Sequence, residues 1–199
     1  KALLQDSHLP AGDWARQATP ACRWSLASGD MLTVDECVKI ADARVPRRTG
    51  NAKRTWVDEQ QGVRLDAQIE LYPSRLTPDV VGRLVANPQF DICVENALTE
   101  QAADDPAVEI DDVEVSDFDT GIDPTELDVG FVDGTTVTMN VTRDGETEPV
   151  VMRALMFGIG GVLGSVTATV EGDADEAAVD GRDWRATMRA AVEDMIAAF

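Results

Sequence analysis

Few of the 199 residues are of types that do chemistry, and their spacing argues against most of it. The single histidine, His8, has no serine or cysteine nucleophile context, and G-x-S-x-G, H-E-x-x-H and P-loop patterns are absent. Three cysteines, Cys22, Cys37 and Cys93, fit no zinc spacing, and one histidine adds too few ligands for a structural metal site. With 37 acidic residues, carboxylate pairs of the glycosidase kind arise everywhere and single out none. Asp117, Asp119, Asp123 and Asp128 invite a calcium reading. An EF-hand loop counted from Asp117, however, needs Gly and Glu where the chain has Ile122 and Asp128, so an acidic loop is expected. Gly158, Gly160, Gly161 and Gly164 form a glycine cluster, but a strand pattern follows it. A phosphate-cradling loop needs a helix there, so the cluster is read as a turn or close backbone packing. The chain is expected to be no enzyme and to hold neither metal nor cofactor.

Charge narrows the partners. The net charge is −20, with 17 basic residues of which three are lysines. Nucleic acid and anionic membrane surfaces are bound through Lys and Arg, so neither suits this chain. Arg44, Arg47, Arg48, Lys53 and Arg54 make its one basic cluster, either a solvated loop or a site for an anionic ligand. No stretch approaches the roughly 20 apolar residues of a membrane-spanning helix. The chain begins at Lys1 without Met, and the expectation is that a signal peptide, membrane helix or lipid anchor has been removed ahead of it.

The elements that would position these residues are legible in the periodicity. Val63, Leu65, Ala67, Ile69 and Leu71 alternate with Arg64, Asp66, Gln68 and Glu70, which predicts a half-buried strand with its polar side in water. Trp56 and Val57 belong to a strand before it. From Leu127 to Glu171 the chain reads as antiparallel strands. Asp133-Gly134 and Asp144-Gly145 are the expected hairpin turns, and Pro149 to Phe157 is a central strand apolar on both faces. Val108, Ile110, Val113 and Val115 predict a strand bulged at Asp111-Asp112. Helices are expected over 32–43, capped by Thr33 above Glu36 and ended by Pro46, over 77–86 with Pro78 in the first turn, and over 90–103. A last helix, capped by Asp183, carries an apolar stripe of Trp184, Met188, Ala191, Val192, Met195 and Phe199.

Cys37-Val38, the strand ending in Tyr72-Pro73-Ser74, and the helix bearing Cys93 give the chain a family likeness, as does the opening from Leu3-Leu4 to Leu9-Pro10-Ala11-Gly12. Over most of its length it resembles the extracellular sensor domain of PknH-type actinobacterial serine/threonine kinases and related secreted lipoproteins. The resemblance implies a twisted antiparallel sheet with helices packed on it, a Cys37–Cys93 disulfide, a cleft for an extracellular ligand and no catalysis. That family carries a second disulfide, whereas this chain has only Cys22 left over as a free thiol. A Cys37–Cys93 bridge also makes physical sense, since it would staple the first helix to the helix after the first hairpin. Closing that loop contributes on the order of 4 kcal/mol in the chain-entropy model. Cys22–Cys37, Cys22 to another chain, and a fully reduced cytosolic protein are the competing arrangements.

The sequence therefore predicts an α+β fold, a twisted antiparallel sheet of about six strands with helices on its faces. Residues 1–30 are expected to be an N-terminal extension and 31–199 a single sensor-like domain. Its expected role is a non-catalytic, extracytoplasmic ligand-binding domain, secreted or anchored to the outer face of the membrane, whose partner is a small molecule or cell-envelope component. The expected ligand cleft is a sheet face carrying Trp56, Tyr72 and Arg153, with Arg153 a charge inside an apolar run where it needs either a ligand or a carboxylate. The alternatives are a carrier of lipid or another apolar ligand, and an envelope protein that binds other proteins.

Overall fold

The computed structural model describes residues 5–10, 12–17, 31, 34–42, 47–74, 76–103, 105–172 and 182–197. Cys22, Arg44, Thr33, Pro46 and Phe199, and with them the expected pairing, cap and helix stop, lie outside these residues. So does the side chain of Trp184.

One antiparallel sheet of seven strands organises the molecule. In chain order the strands are β1 (Trp14–Gln17), β2 (Gly50–Asp58), β3 (Val63–Leu71), β4 (Val108–Asp117), β5 (Phe131–Arg143), β6 (Glu146–Ile159) and β7 (Val162–Glu171). Their spatial order is β1-β2-β3-β7-β6-β5-β4. The helices are α1 (Asp35–Ala41), α2 (Leu76–Val85), α3 (Phe90–Ala103) and α4 (Arg182–Ile196), and a 3₁₀ turn spans Asp6–His8. The α+β expectation holds. The strand beyond the expected six is β1, inside the segment read as an extension, where four residues pair with Thr55–Asp58 of β2. So short a run shows no alternation to read.

Each face of the sheet has its own core. On one face α2 packs on β5 and β6 and α3 on β4, with α1 against both helices. Val137, Met139 and Val141 of β5 and Val150, Met152, Ala154 and Met156 of β6 meet Val81, Leu84, Cys93, Val94, Ala97 and Leu98 there. The other face buries Trp56, Leu65, Ala67, Ile69, Phe157, Val166 and Ala168 beneath Met188, Ala191, Val192 and Met195 of α4. The period-2 alternation of the strands and the helical spacing of the two longer helices sort these residues onto their faces. β6 feeds both cores, which is why its run from Val150 to Phe157 is apolar apart from Arg153.

Two of the expected turns have different outcomes. Asp144 and Gly145 sit at φ 53° and 84° and close the β5–β6 hairpin, as Asp-Gly predicts. Asp133-Gly134 is no turn: β5 runs straight through it, and the alternation from Leu127 to Val129 belongs to a loop before the strand. Gly134 is small for another reason, since a Cβ there would lie 2.7 Å from the Phe118 carbonyl oxygen. The glycine cluster is the β6–β7 hairpin, Gly160 taking φ 57° in the turn while the Phe157 ring lies against Gly164. The bulge in β4 falls as expected, with Asp112 at φ 55° and the register shifting between Asp111 and Glu114. α1 starts later than expected, its N-cap being Val34 with no side-chain capping bond, and it ends where Asp42 turns left-handed at φ 46°. Seven uncapped residues make a marginal helix by themselves. The Cys37–Cys93 disulfide, with Cα atoms 4.7 Å apart, ties it to α3.

Candidate functional site

The sheet face covered by α2 and α3 changes character where it passes from β6 to β7, β3 and β2. Cross-strand rows there run Lys53–Gln68–Ser165, Thr55–Asp66–Thr167 and Val57–Arg64–Thr169. Thr55, Asp66, Gln68, Glu70, Ser165, Thr167 and Thr169 are all buried, at positions where the same face one strand further on carries Met156, Ala154 and Met152. Burial of charge is tolerated only with close partners, and these groups supply them to one another.

Two carboxylates anchor the network. Asp66 receives Arg64 Nε at 2.9 Å and the Thr55 hydroxyl, with Lys53 Nζ 3.6 Å away. Glu70, four residues along the same face of β3, receives Arg48 Nη1 at 2.6 Å, Gln68 Nε2 at 3.1 Å and Tyr72 Oη at 3.3 Å. The carboxylates lie underneath with side chains 10% and 3% exposed, while Arg48, Lys53 and Arg64 remain 40%, 17% and 25% exposed above them. The accessible layer of this half-face is therefore cationic, in a chain of net charge −20. Such a layer suits hydroxyl, carboxylate or phosphate groups presented from outside.

The three residues expected to share a cleft are divided between the faces. Trp56 and Arg153 stand in one cross-strand row, Trp56–Leu65–Ala168–Arg153–Thr136, on the α4 side. They are three strand spacings apart, roughly 14 Å. Trp56 is 1% exposed and donates its indole N–H to Asp6 at 2.9 Å, so it is a core residue of that face. Tyr72 belongs to the opposite core and to the Glu70 network. Alternation explains the division: the residues of β3 with even numbers lead to Tyr72 on the polar side, whereas in β2 it is Lys53 and Thr55 that face that way. The apolar run of β6 gives Arg153 no readable side. From the basic cluster, Arg48 and Lys53 join the polar half-face. Arg54 lies opposite, paired with Ala67, and Arg47 is exposed. The polar side of β3, expected in water, is buried. Ser165, Thr167 and Thr169 were missed because only the β3–β7 pairing makes them its neighbours.

The acidic loop after β4 folds on itself. Asp119 accepts the Gly121 N–H, and Asp123 accepts the N–H and hydroxyl of Thr125, which hold its carboxyl below the usual range. At the start of β5, burial pushes the Asp133 carboxyl up, against the Thr135 hydroxyl bond that favours ionisation. Nearby Asp117 raises it further. Neither residue touches the polar half-face. Compared with protein-family models, curated proteins and solved structures, the chain gives no match.

Proposed function

We propose that this chain is a non-catalytic, extracytoplasmic ligand-binding domain of sensor-like type, and that its recognition surface is the polar half-face of β2, β3 and β7. The observation that carries the reading is the layered arrangement there: two buried carboxylates hold three partly exposed cations in fixed positions over a floor of hydroxyl and amide groups. Pre-positioned polar groups cost little ordering on binding, which is how a rigid sheet makes a specific polar site. The ligand is then a polar, hydroxyl- or anion-bearing small molecule or envelope component. Tyr72 joins this proposed site through its bond to Glu70, while Trp56 and Arg153 stand in the cross-strand row on the α4 side.

The Cys37–Cys93 bridge fits an oxidising compartment, and among the described residues no helix is long and apolar enough to cross a membrane. The resemblance to the PknH-type sensor domain points the same way and enters the proposal on those terms. The test is a two-probe titration followed by backbone amide NMR, using tetra-N-acetylchitotetraose as the polar probe and palmitate as the apolar one. Shifts confined to Lys53, Gln68 and Ser165 with the oligosaccharide, lost in Arg64→Ala, support the reading. Palmitate binding that leaves those amides unmoved would replace it with an apolar-ligand carrier, and silence towards both probes would count against any small-molecule site on this face.

A further inference from the structure

We propose that residues 5–10 and 12–17 form a strap that opens as one unit, ahead of the rest of the domain, and bares Trp56 when it does. The strap crosses the α4 side of the sheet and ends as the edge strand β1. Its hold is narrow. β1 contributes four residues, of which Ala15, Arg16 and Gln17 are exposed. Further fastenings lie among the described residues of the strap. Asp6 accepts the Trp56 indole N–H at 2.9 Å, the 3₁₀ turn Asp6–His8 touches α4, and Leu9 and Trp14 pack partly buried against the second core. The Trp14 indole N–H folds back onto the Pro10 carbonyl at 2.9 Å, so the strap keeps its own shape.

Asp58 is the clasp. It is 1% exposed, and its Oδ2 accepts the Asp13 N–H at 3.0 Å while its Oδ1 accepts the N–H groups of Gln60 and Gln61 in the β2–β3 turn. The sheet would keep that turn if the strap left, because only one oxygen of the carboxylate serves the strap. Gly12 fits over the clasp with no room to spare: a Cβ there would lie 2.3 Å from Asp58 Oδ2 and 2.8 Å from Trp14 Nε1. By contrast β3 and β7 are paired on both edges and buried on both faces. Segments with few buried contacts at a sheet edge open locally at a fraction of the global free energy. Once the strap is gone, an indole and the adjoining apolar strand face meet solvent, which makes the strap a two-position element of the sort that switching proteins use.

Native-state hydrogen exchange on the full chain, followed by NMR at rising urea below the unfolding transition, decides the matter. The amides of Trp14–Gln17 that face β2 and the indole N–H of Trp56 are expected to exchange together, about a hundredfold or more faster than β3 and β7, through an opening almost insensitive to urea. Gly12→Ala should speed that set by roughly tenfold or more and leave β3 and β7 unchanged. Should Gly12→Ala fail to fold, Asp6→Ala at an exposed position gives the same reading, with Trp56 indole exchange about tenfold faster. Strap groups that exchange at the rate and urea dependence of β3 and β7, or variants that accelerate both sets equally, would overturn the proposal.

Discussion

Removing the Cys37–Cys93 bridge should cost this domain a large part of its stability. The bridged residues are 56 apart in sequence, so the bridge closes a loop of about 57 residues. The chain-entropy relation gives a loss of about 14 cal/mol/K for that loop in the unfolded chain, or about 4 kcal/mol at 25 °C. Against a total of roughly 5–15 kcal/mol for a domain, that is a substantial share. Local structure raises the stake, since α1 is seven residues long with no side-chain cap and depends on α3 and the bridge to stay helical. The assay is urea unfolding by circular dichroism of three samples: oxidised, reduced, and Cys37→Ala/Cys93→Ala. Reduction keeps both fully buried sulfurs in the core and so isolates the chain-entropy effect, while the double variant adds the loss of their packing. The midpoint should fall in the order oxidised, reduced, double variant, and the slope should steepen without the cross-link as the unfolded chain exposes more surface. Reduced protein and double variant both unfolding within about 1 kcal/mol of the oxidised form would refute the reasoning.

Three further outcomes follow from individual sites. Gly164→Ala places a Cβ about 2.1 Å from the Phe157 ring, which is fully buried and cannot withdraw, so thermal unfolding should show a loss of about 3 kcal/mol, with part of it recovered in Gly164→Ala/Phe157→Leu. Asp133→Asn should stabilise the protein at neutral pH. The folded state holds this carboxyl above the ordinary 3.8, so its stabilising contribution is present below that value and is lost as pH rises through the folded pKa. Thermal midpoints of variant and parent should therefore converge below about pH 3.8 and separate above it; a gap that widens in acid would contradict the sign. Glu70→Ala removes the acceptor shared by Arg48, Gln68 and Tyr72, and because Arg48 can turn into water the expected cost is about 2 kcal/mol by urea unfolding, with Glu70→Gln recovering part of it.

Local pattern carried most of the fold. The strand Val63–Leu71, the helix Phe90–Ala103, the buried stripe of α4 and the bulge at Asp111-Asp112 all follow from spacing within about ten residues. Asp133-Gly134 misled because a dipeptide shaped like a turn also suits a strand whose backbone is crowded, and the crowding atom, the Phe118 carbonyl, comes from another segment. The candidate site was half legible. Arg64, Asp66, Gln68 and Glu70 announce a polar side of β3, but whether that side meets water or a second polar strand depends on β7, some hundred residues onward. Arg153 drew attention as a charge inside an apolar run, and Trp56, expected to share its cleft, is a core residue.

The ladder between β3 and β7 is the single seam at which two contiguous stretches of chain, β1–β3 and β4–β7, become one sheet. Every other pairing in the sheet joins strands consecutive along the chain, and those of β2–β3, β5–β6 and β6–β7 can zip from a tight turn, whereas this one must bring residue 71 to residue 162 across a long intervening segment. It is the late, rate-setting event expected in folding, and it is self-checking. A slip by one residue would turn Leu65, Ala67 and Ile69 onto Thr167 and Ser165, and set Asp66, Gln68 and Glu70 among Val166 and Ala168 under α4. Misregistered chains would strand two carboxylates in oil and lose their cations at once, so the polar half-face doubles as a proofreader of assembly.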